Sequence, residues 1–278
     1  MSTTINAADV NKLRQMTGAG MMDCKKALAE SNGDFEAAID FLRKKGQKIS
    51  ANRADRKASE GAVIALTNAD RTKGVVIELN CETDFVAKNE DFVKTARSIA
   101  ESVLEQEPDS LESLQSMSIN GVALSQRLLD EMAKIGEKLE VSKYSILKGN
   151  NIVAYIHAGN RLGVLVQMNN APSEINLQAG RDVAMQIAAM NPVAVDRDGV
   201  DASTIEREME IGRDQARAEG KPEAMIDKIA EGKLQKFFKE STLLQQEFVK
   251  DPSKTVAKML ADVEPGLTVT HFVRVALG

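Results

Sequence analysis

Gly74-Val75-Val76-Ile77-Glu78-Leu79-Asn80 and Gly163-Val164-Leu165-Val166-Gln167-Met168 decide the reading of this chain. Both open on glycine, run on in β-branched and aliphatic residues, and precede a helical pattern at similar distances. Each is also preceded by a second strand-like run. Ala62-Val63-Ile64-Ala65-Leu66-Thr67 leads to the first through the polar turn Asn68 to Gly74, and Ile152 to His157 leads to the second through Gly159-Asn160. The helix after the first pair carries Phe92, Ala96, Ile99 and Val103 on one side; the helix after the second carries Val183, Ala184, Ile187 and Ala188. Such spacings put apolar side chains on one helical face, so the centre of the chain reads as a duplicated hairpin-plus-helix unit in two related α+β subdomains. Between the repeats, a helix is expected from about Gly121 to Ile135, then an alternating strand through Leu139, Val141 and Tyr144.

The flanks differ from this core. Residues 1–50 read as three short helices. Asn6 caps the first, which places Val10, Leu13 and Met16 on one face. The second runs from about Met22 to Ser31. The third is capped by Asp34 and carries Phe35, Ala38, Ile39 and Leu42, with Gly46 as its end. Lys48 to Ser59 reads as a polar linker or weak helix. Residues 203–219 are dense in both charge signs, with Ile205, Met209, Gly212 and Ala216 as a thin seam. After Gly220-Lys221-Pro222, a stripe of Ile226, Ile229, Ala230, Leu234 and Phe237 suggests a returning helix. Residues 201–241 therefore read as a protruding helical hairpin, suited to contact or to dimerisation. The expected divisions are 1–55 for the N-terminal module and linker, 56–149 for the first core subdomain, and 150–278 for the second with its hairpin.

Composition bounds the function. With 278 residues, 43% hydrophobic and 28% charged, the chain can bury a sizeable core. No run approaches the roughly 18 apolar residues of a membrane span, and the opening Met1-Ser2-Thr3-Thr4 lacks the apolar core of a signal peptide. A cytoplasmic address and no membrane partner are expected. The net charge of −5 argues against direct nucleic-acid binding, although residues 1–59 hold 11 basic against 7 acidic side chains. Cys24 and Cys81 read as reduced thiols.

A catalytic constellation is missing. The two histidines, His157 and His271, form no zinc-ligand spacing with the cysteines, and the phosphate-binding Gly-x-x-x-x-Gly-Lys-Ser/Thr loop is absent. Cys24 beside Lys25 fits a buried thiol better than a nucleophile. Glu78 to Lys88 is the peculiar stretch. A strand ends near Asn80 and Thr83 or Asp84 can cap a helical turn. Phe85 then either closes the first subdomain's core or stands out as an anchor for a partner's pocket. Met21-Met22 is open to the same two readings, core filler or adaptable contact.

Two stretches together carry a resemblance. Leu13-Arg14-Gln15-Met16-Thr17-Gly18-Ala19-Gly20-Met21-Met22-Asp23-Cys24-Lys25-Lys26-Ala27-Leu28 and Glu78-Leu79-Asn80-Cys81-Glu82-Thr83-Asp84-Phe85-Val86-Ala87-Lys88 resemble the signatures of the elongation factor Ts family. Its members are guanine-nucleotide exchange factors for elongation factor Tu. The likeness continues through Tyr155-Ile156-His157-Ala158-Gly159, Gly220-Lys221-Pro222 and Phe248 to Val256, nearly the whole chain.

The resemblance implies an α+β fold: a three-helix module similar to ubiquitin-associated domains, a two-part core with antiparallel sheets, and an inserted coiled-coil hairpin. It implies that Asp84 and Phe85, within Thr83 to Val86, enter the partner's nucleotide domain, with Phe85 wedging near the Mg²⁺ and phosphate site. It further implies that Ile135, Gly136 and His157 are neighbouring contacts, that Arg14, Met21, Met22 and Lys25 serve the N-terminal module, and that Val249 docks elsewhere. GDP, GTP and Mg²⁺ would belong to elongation factor Tu, so no cofactor and no catalytic residue is expected in this chain. Some relatives continue past the position of Val275-Ala276-Leu277-Gly278 into a further helical module that touches the partner, a contact expected to be missing here. Lys250 stands where some members carry an apolar residue. The other reading is a non-catalytic interaction scaffold that leaves nucleotide release unchanged.

Overall fold

The computed structural model describes residues 5–278; Met1–Thr4, read above as a non-apolar opening, lie outside the described residues. The N-terminal bundle consists of α1 (Ala7–Thr17), α2 (Met21–Glu30) and α3 (Phe35–Asn52). Asn6 Oδ1 accepts the Asp9 N–H at 2.7 Å and Asp34 Oδ1 that of Ala37 at 2.9 Å, so both expected caps form. Val10, Leu13, Cys24, Ala27, Leu28, Ala38 and Leu42 fill the core. Met16 leaves the face expected for it and is exposed. Each step of three residues drifts about 60° around a helix of 3.6 residues per turn, so two steps from Val10 carry Met16 off the stripe.

Gly46 does not end α3. It lies buried inside the helix, and of the two readings of the segment from Lys48, linker or weak helix, the helical one holds as far as Asn52. A Cβ at Gly46 would sit 2.3 Å from the backbone oxygen of Leu129. Glycine is there for close approach to a second helix.

The first core unit pairs β1 (Glu60–Thr67) with β2 (Lys73–Cys81), Glu60 opposite Cys81 and Thr67 opposite Gly74. A short α4 (Asp84–Ala87) precedes α5 (Glu90–Gln106), whose Phe92, Ala96, Ile99 and Val103 are all buried, as their spacing predicts. Next come α6 (Leu111–Ser116), the two-residue strands β3 (Ser118–Ile119) and β4 (Val122–Ala123), α7 (Leu124–Ile135) and β5 (Glu140–Lys148). The helix expected from about Gly121 thus starts later. Asn120 and Gly121 both have positive φ, 54° and 81°, and make the tight turn between β3 and β4. In β5 the register slips where Glu78 faces Lys143 and Leu79 faces Val141. That bulge lets Val141 and Tyr144, three residues apart, both pack on the first core.

The second unit repeats the plan with β6 (Asn151–Ile156), β7 (Leu162–Met168) and α8 (Glu174–Met190). The hairpin follows as α9 (Ala202–Ala218) and α10 (Glu223–Ser241). Gly212 lets the two helices meet closely, since a Cβ there would lie 3.0 Å from the Ala230 Cα. Ile226, Ala230, Leu234 and Phe238 make the buried stripe; Phe237, expected in it, is only partly buried because Phe238 continues the four-residue spacing. Finally β8 (Glu247–Phe248) and β9 (Asp251–Thr255) lead through α11 (Val256–Val263) to β10 (Val269–Ala276).

The sheets have orders β1-β2-β5 and β6-β7-β10, all neighbours antiparallel. Each is a hairpin, then a helix, then a third strand beside the second. The duplication read from Gly74 and Gly163 is therefore present in topology, with both quoted strands central. One face of each sheet carries its own helices, while the other faces meet through Val63, Ala65 and Val76 against Ile152, Leu165 and Val275. The two opening glycines sit in that interface. A Cβ on Gly74 would lie 2.7 Å from Ile152 Cγ2, and one on Gly163 would lie 2.8 Å from Val63 Cγ1.

Candidate functional site

Where β2 ends, the chain turns a tightly bonded corner. Cys81 Sγ donates to the Thr83 carbonyl at 3.2 Å, and Thr83 Oγ1, as the cap of α4, accepts the Val86 N–H at 3.4 Å. Val86 and Ala87 pack on the first core. Consecutive helical residues point about 100° apart, so this leaves Asp84 and Phe85 facing outward. Phe85 keeps 84% of its surface exposed. The reading in which Phe85 closes the core is thus overturned: Val86 does that, and its neighbour is displayed. Asp84 Oδ2 accepts from Lys88 Nζ at 2.6 Å, a bond that holds the Asp84 carboxyl below the usual range.

Two glutamates fix the corner. Glu137 Oε2 accepts the N–H groups of Glu82 and Thr83, both at 3.0 Å, and its Oε1 accepts from Thr83 Oγ1 at 2.7 Å. Glu82 Oε1 accepts from the Lys138 N–H at 2.7 Å and from Arg53 Nη1 at 2.6 Å, while Oε2 accepts from Arg56 Nη1 at 3.1 Å. Glu82 is therefore tied both to the segment after α7 and to the end of α3.

Ile135 and Gly136 come to the same place. Ile135 packs on the first core, and Gly136 ends α7 with φ 80°, its N–H donating to the Met132 carbonyl at 2.8 Å. That left-handed step is what glycine allows, and Glu137 follows it directly.

A family model described as Elongation factor TS matches residues 82–278. The chain is 53% identical to an elongation factor Ts of Cytophaga hutchinsonii over 276 residues, 99% of each chain. It is 53% identical over 275 residues to that of Flavobacterium psychrophilum, again 99% of each, and 45% identical over 279 residues to that of Porphyromonas gingivalis. The chain belongs to the elongation factor Ts family. Membership places it among translation elongation factors of the guanine-nucleotide exchange kind. The family model begins at Glu82, the first residue of the braced corner, and the full-length relatives extend the likeness over the N-terminal bundle.

The N-terminal bundle packs on α7, the helix that ends at Gly136. Met21 and Met22, 57% and 75% exposed, are displayed at the start of α2, so they are not core filler. Arg14 and Lys25 are exposed on the same bundle. The turn between α1 and α2 rests on the last turn of α7, where a Cβ on Gly18 would be 3.1 Å from Lys134 Cε. His157 is exposed after β6, with its Nδ1 2.9 Å from the Tyr155 hydroxyl. The loop after it is bound to the start of β1 by Arg161 and Glu60, 2.5 Å apart, and Glu60 pairs with Cys81. His157 thus lies at the same end of the first sheet as the Phe85 corner. Val249 stands apart, 42% exposed between β8 and β9, with its N–H on Gln186 Oε1 at 2.8 Å. Its neighbour Lys250 pairs with Asp182 of α8 at 2.8 Å.

Both cysteines are buried. Burial, with the charge of Glu137 nearby, pushes the Cys81 thiol up to about 12. Among the described residues no group of three or more His, Cys, Asp or Glu could hold a metal ion, and no helix is long and apolar enough to cross a membrane. Glu82 and Glu137 are marked in the sequence only by their neighbours, Thr83 and Gly136, and nothing local marks Arg53 or Arg56.

Proposed function

We propose that this chain binds elongation factor Tu and speeds release of its GDP by inserting Phe85 beside the partner's Mg²⁺ and phosphate site, allowing GTP to reload. A GTPase holds the diphosphate through backbone N–H groups and Mg²⁺. A protein that prefers the opened form weakens GDP by the factor with which GDP weakens that protein. Moving a two-state equilibrium from 1:99 to 99:1 takes about 5.5 kcal/mol of differential binding. Burying a phenylalanine of roughly 150–250 Å² at about 25 cal/mol per Å² contributes some 4–6 kcal/mol as an upper bound. One wedge has the right order of magnitude and needs further contacts to offset the cost of association. Asp84, Ile135, Gly136 and His157 near the corner, Arg14, Met21, Met22 and Lys25 on the bundle, and Val249 on the second unit would supply them.

The observation that carries this reading is Phe85, 84% exposed on a corner whose backbone is already fixed. The test is release of fluorescent GDP from elongation factor Tu, chased with excess GDP, with and without the chain. Wild type should accelerate release strongly and Phe85→Ala should lose at least about tenfold of that, the equivalent of 1.4 kcal/mol. Acceleration untouched by the variant would move the mechanism off Phe85. No acceleration with a cognate partner would leave the scaffold reading.

A further inference from the structure

Resting on that exchange reading, we propose that Glu137 is the positioning residue of the wedge, holding the Phe85 corner in its docking geometry without touching the partner. Three donors from a segment 54 and 55 residues away converge on its carboxylate: the N–H groups of Glu82 and Thr83 and the Thr83 hydroxyl. The cap made by Thr83 serves only Val86. Without Glu137, the N–H groups of Glu82 and Thr83 lose their acceptor, and the hydroxyl that caps α4 is free to rotate.

The carboxylate is committed to this task. No Lys or Arg among the described residues pairs with Glu137, so its charge serves the backbone N–H groups instead of an ion pair. Hydrogen bonds to a charged acceptor are the strong ones. Gly136 delivers the residue: its left-handed φ of 80° turns the chain at the end of α7 so that Glu137 reaches β2's exit. The corner gains a fixed direction for Phe85 before any partner arrives, which lowers the ordering cost of docking.

The test compares wild type, Glu137→Ala, Glu137→Gln, Phe85→Ala and the Phe85→Ala/Glu137→Ala double variant in the GDP-release assay, over a range of chain concentrations. Glu137→Ala should lower the maximal release rate roughly 10- to 100-fold, as misplacing a reacting group does. The concentration giving half the effect should move less than about threefold, because the rest of the interface is intact. Glu137→Gln should recover part of the rate, since its amide oxygen still accepts both N–H groups. In the Phe85→Ala background, Glu137→Ala should cost less than about twofold more, the mark of action through Phe85.

A second readout does not depend on exchange at all. Amide hydrogen exchange at Glu82 and Thr83 should quicken in Glu137→Ala while α5 and the sheets keep their protection. An equal loss in both backgrounds, or a shift only in the half-effect concentration, would overturn the positioning role while leaving the exchange reading intact. Unchanged protection at Glu82 and Thr83 would overturn it as well. A wild-type chain that fails to accelerate release would sink the exchange reading itself, and this role with it.

Discussion

Glu137 accepts the backbone N–H of Glu82, and Glu82 accepts the backbone N–H of Lys138, the residue after Glu137. Each carboxylate therefore holds the loop from which the other projects. Burial pushes the Glu82 carboxyl up, but hydrogen bonds from Arg53, the Lys138 N–H and Arg56 outweigh it and hold the group below its ordinary 4.5. A group with a lowered folded pKa contributes its full stabilisation above the unfolded value and loses it as pH falls through the folded one.

Acid should consequently loosen this junction. Between pH 7 and 5 the urea midpoint should be flat with respect to Glu82. Below about 4.5 it should fall more steeply for wild type than for Glu82→Gln, which has no proton to take up there. Parallel curves for the two proteins would show that the brace contributes nothing to stability.

Phe85 and Val86 should separate function from folding. Phe85→Ala, at a position 84% exposed, should change unfolding free energy by no more than about 0.5 kcal/mol. Val86→Ala removes two methyl groups packed on the first core and should cost about 1–2 kcal/mol. Chemical denaturation of both variants decides it; a loss of several kcal/mol in Phe85→Ala would mean that its ring is packed in solution.

Gly46→Ala offers a test in which two effects have opposite signs. Inside a helix the change ordinarily stabilises by roughly 1 kcal/mol. Here the added Cβ meets the Leu129 oxygen at 2.3 Å, so α3 must move away from α7. A net destabilisation of about 1–3 kcal/mol is expected, read as a lower thermal midpoint. A stabilised variant would show that the two helices part without cost.

Cys81 should be chemically quiet. Its thiol is buried and pushed up to about 12, so very little of it is thiolate at neutral pH. Alkylation of the native protein should leave Cys81 unlabelled until denaturant is added. Rapid native labelling would show that the corner opens.

The sequence made the periodic features legible and left the long-range ones hidden. Phe92, Ala96, Ile99 and Val103 announce a buried helical face because the spacing itself does the packing, and all four are buried. The stripe from Val10 through Leu13 misled at Met16, where drift around the helix overtakes it. Gly46 reads as a stop because glycine weakens a helix; only the approach of Leu129 gives it another purpose. At the corner, Phe85 and its neighbours stood out by residue type and by resemblance, whereas no local pattern links Glu82 to Glu137 across 55 residues. Which of Phe85 and Val86 turns inward is settled by the direction in which β2 delivers the chain, a tertiary fact.

The glycines that open the two central strands, Gly74 and Gly163, each leave room for a side chain of the opposite sheet, Ile152 and Val63. The halves of the duplication are thus locked like two members of an obligate dimer that share one polypeptide. Cutting them apart would bare Val63, Ala65 and Val76 on one side and Ile152, Leu165 and Val275 on the other. Neither fragment would have water-compatible sheet faces, so the two should melt as one cooperative unit and associate again when mixed. A separated half is an aggregation hazard.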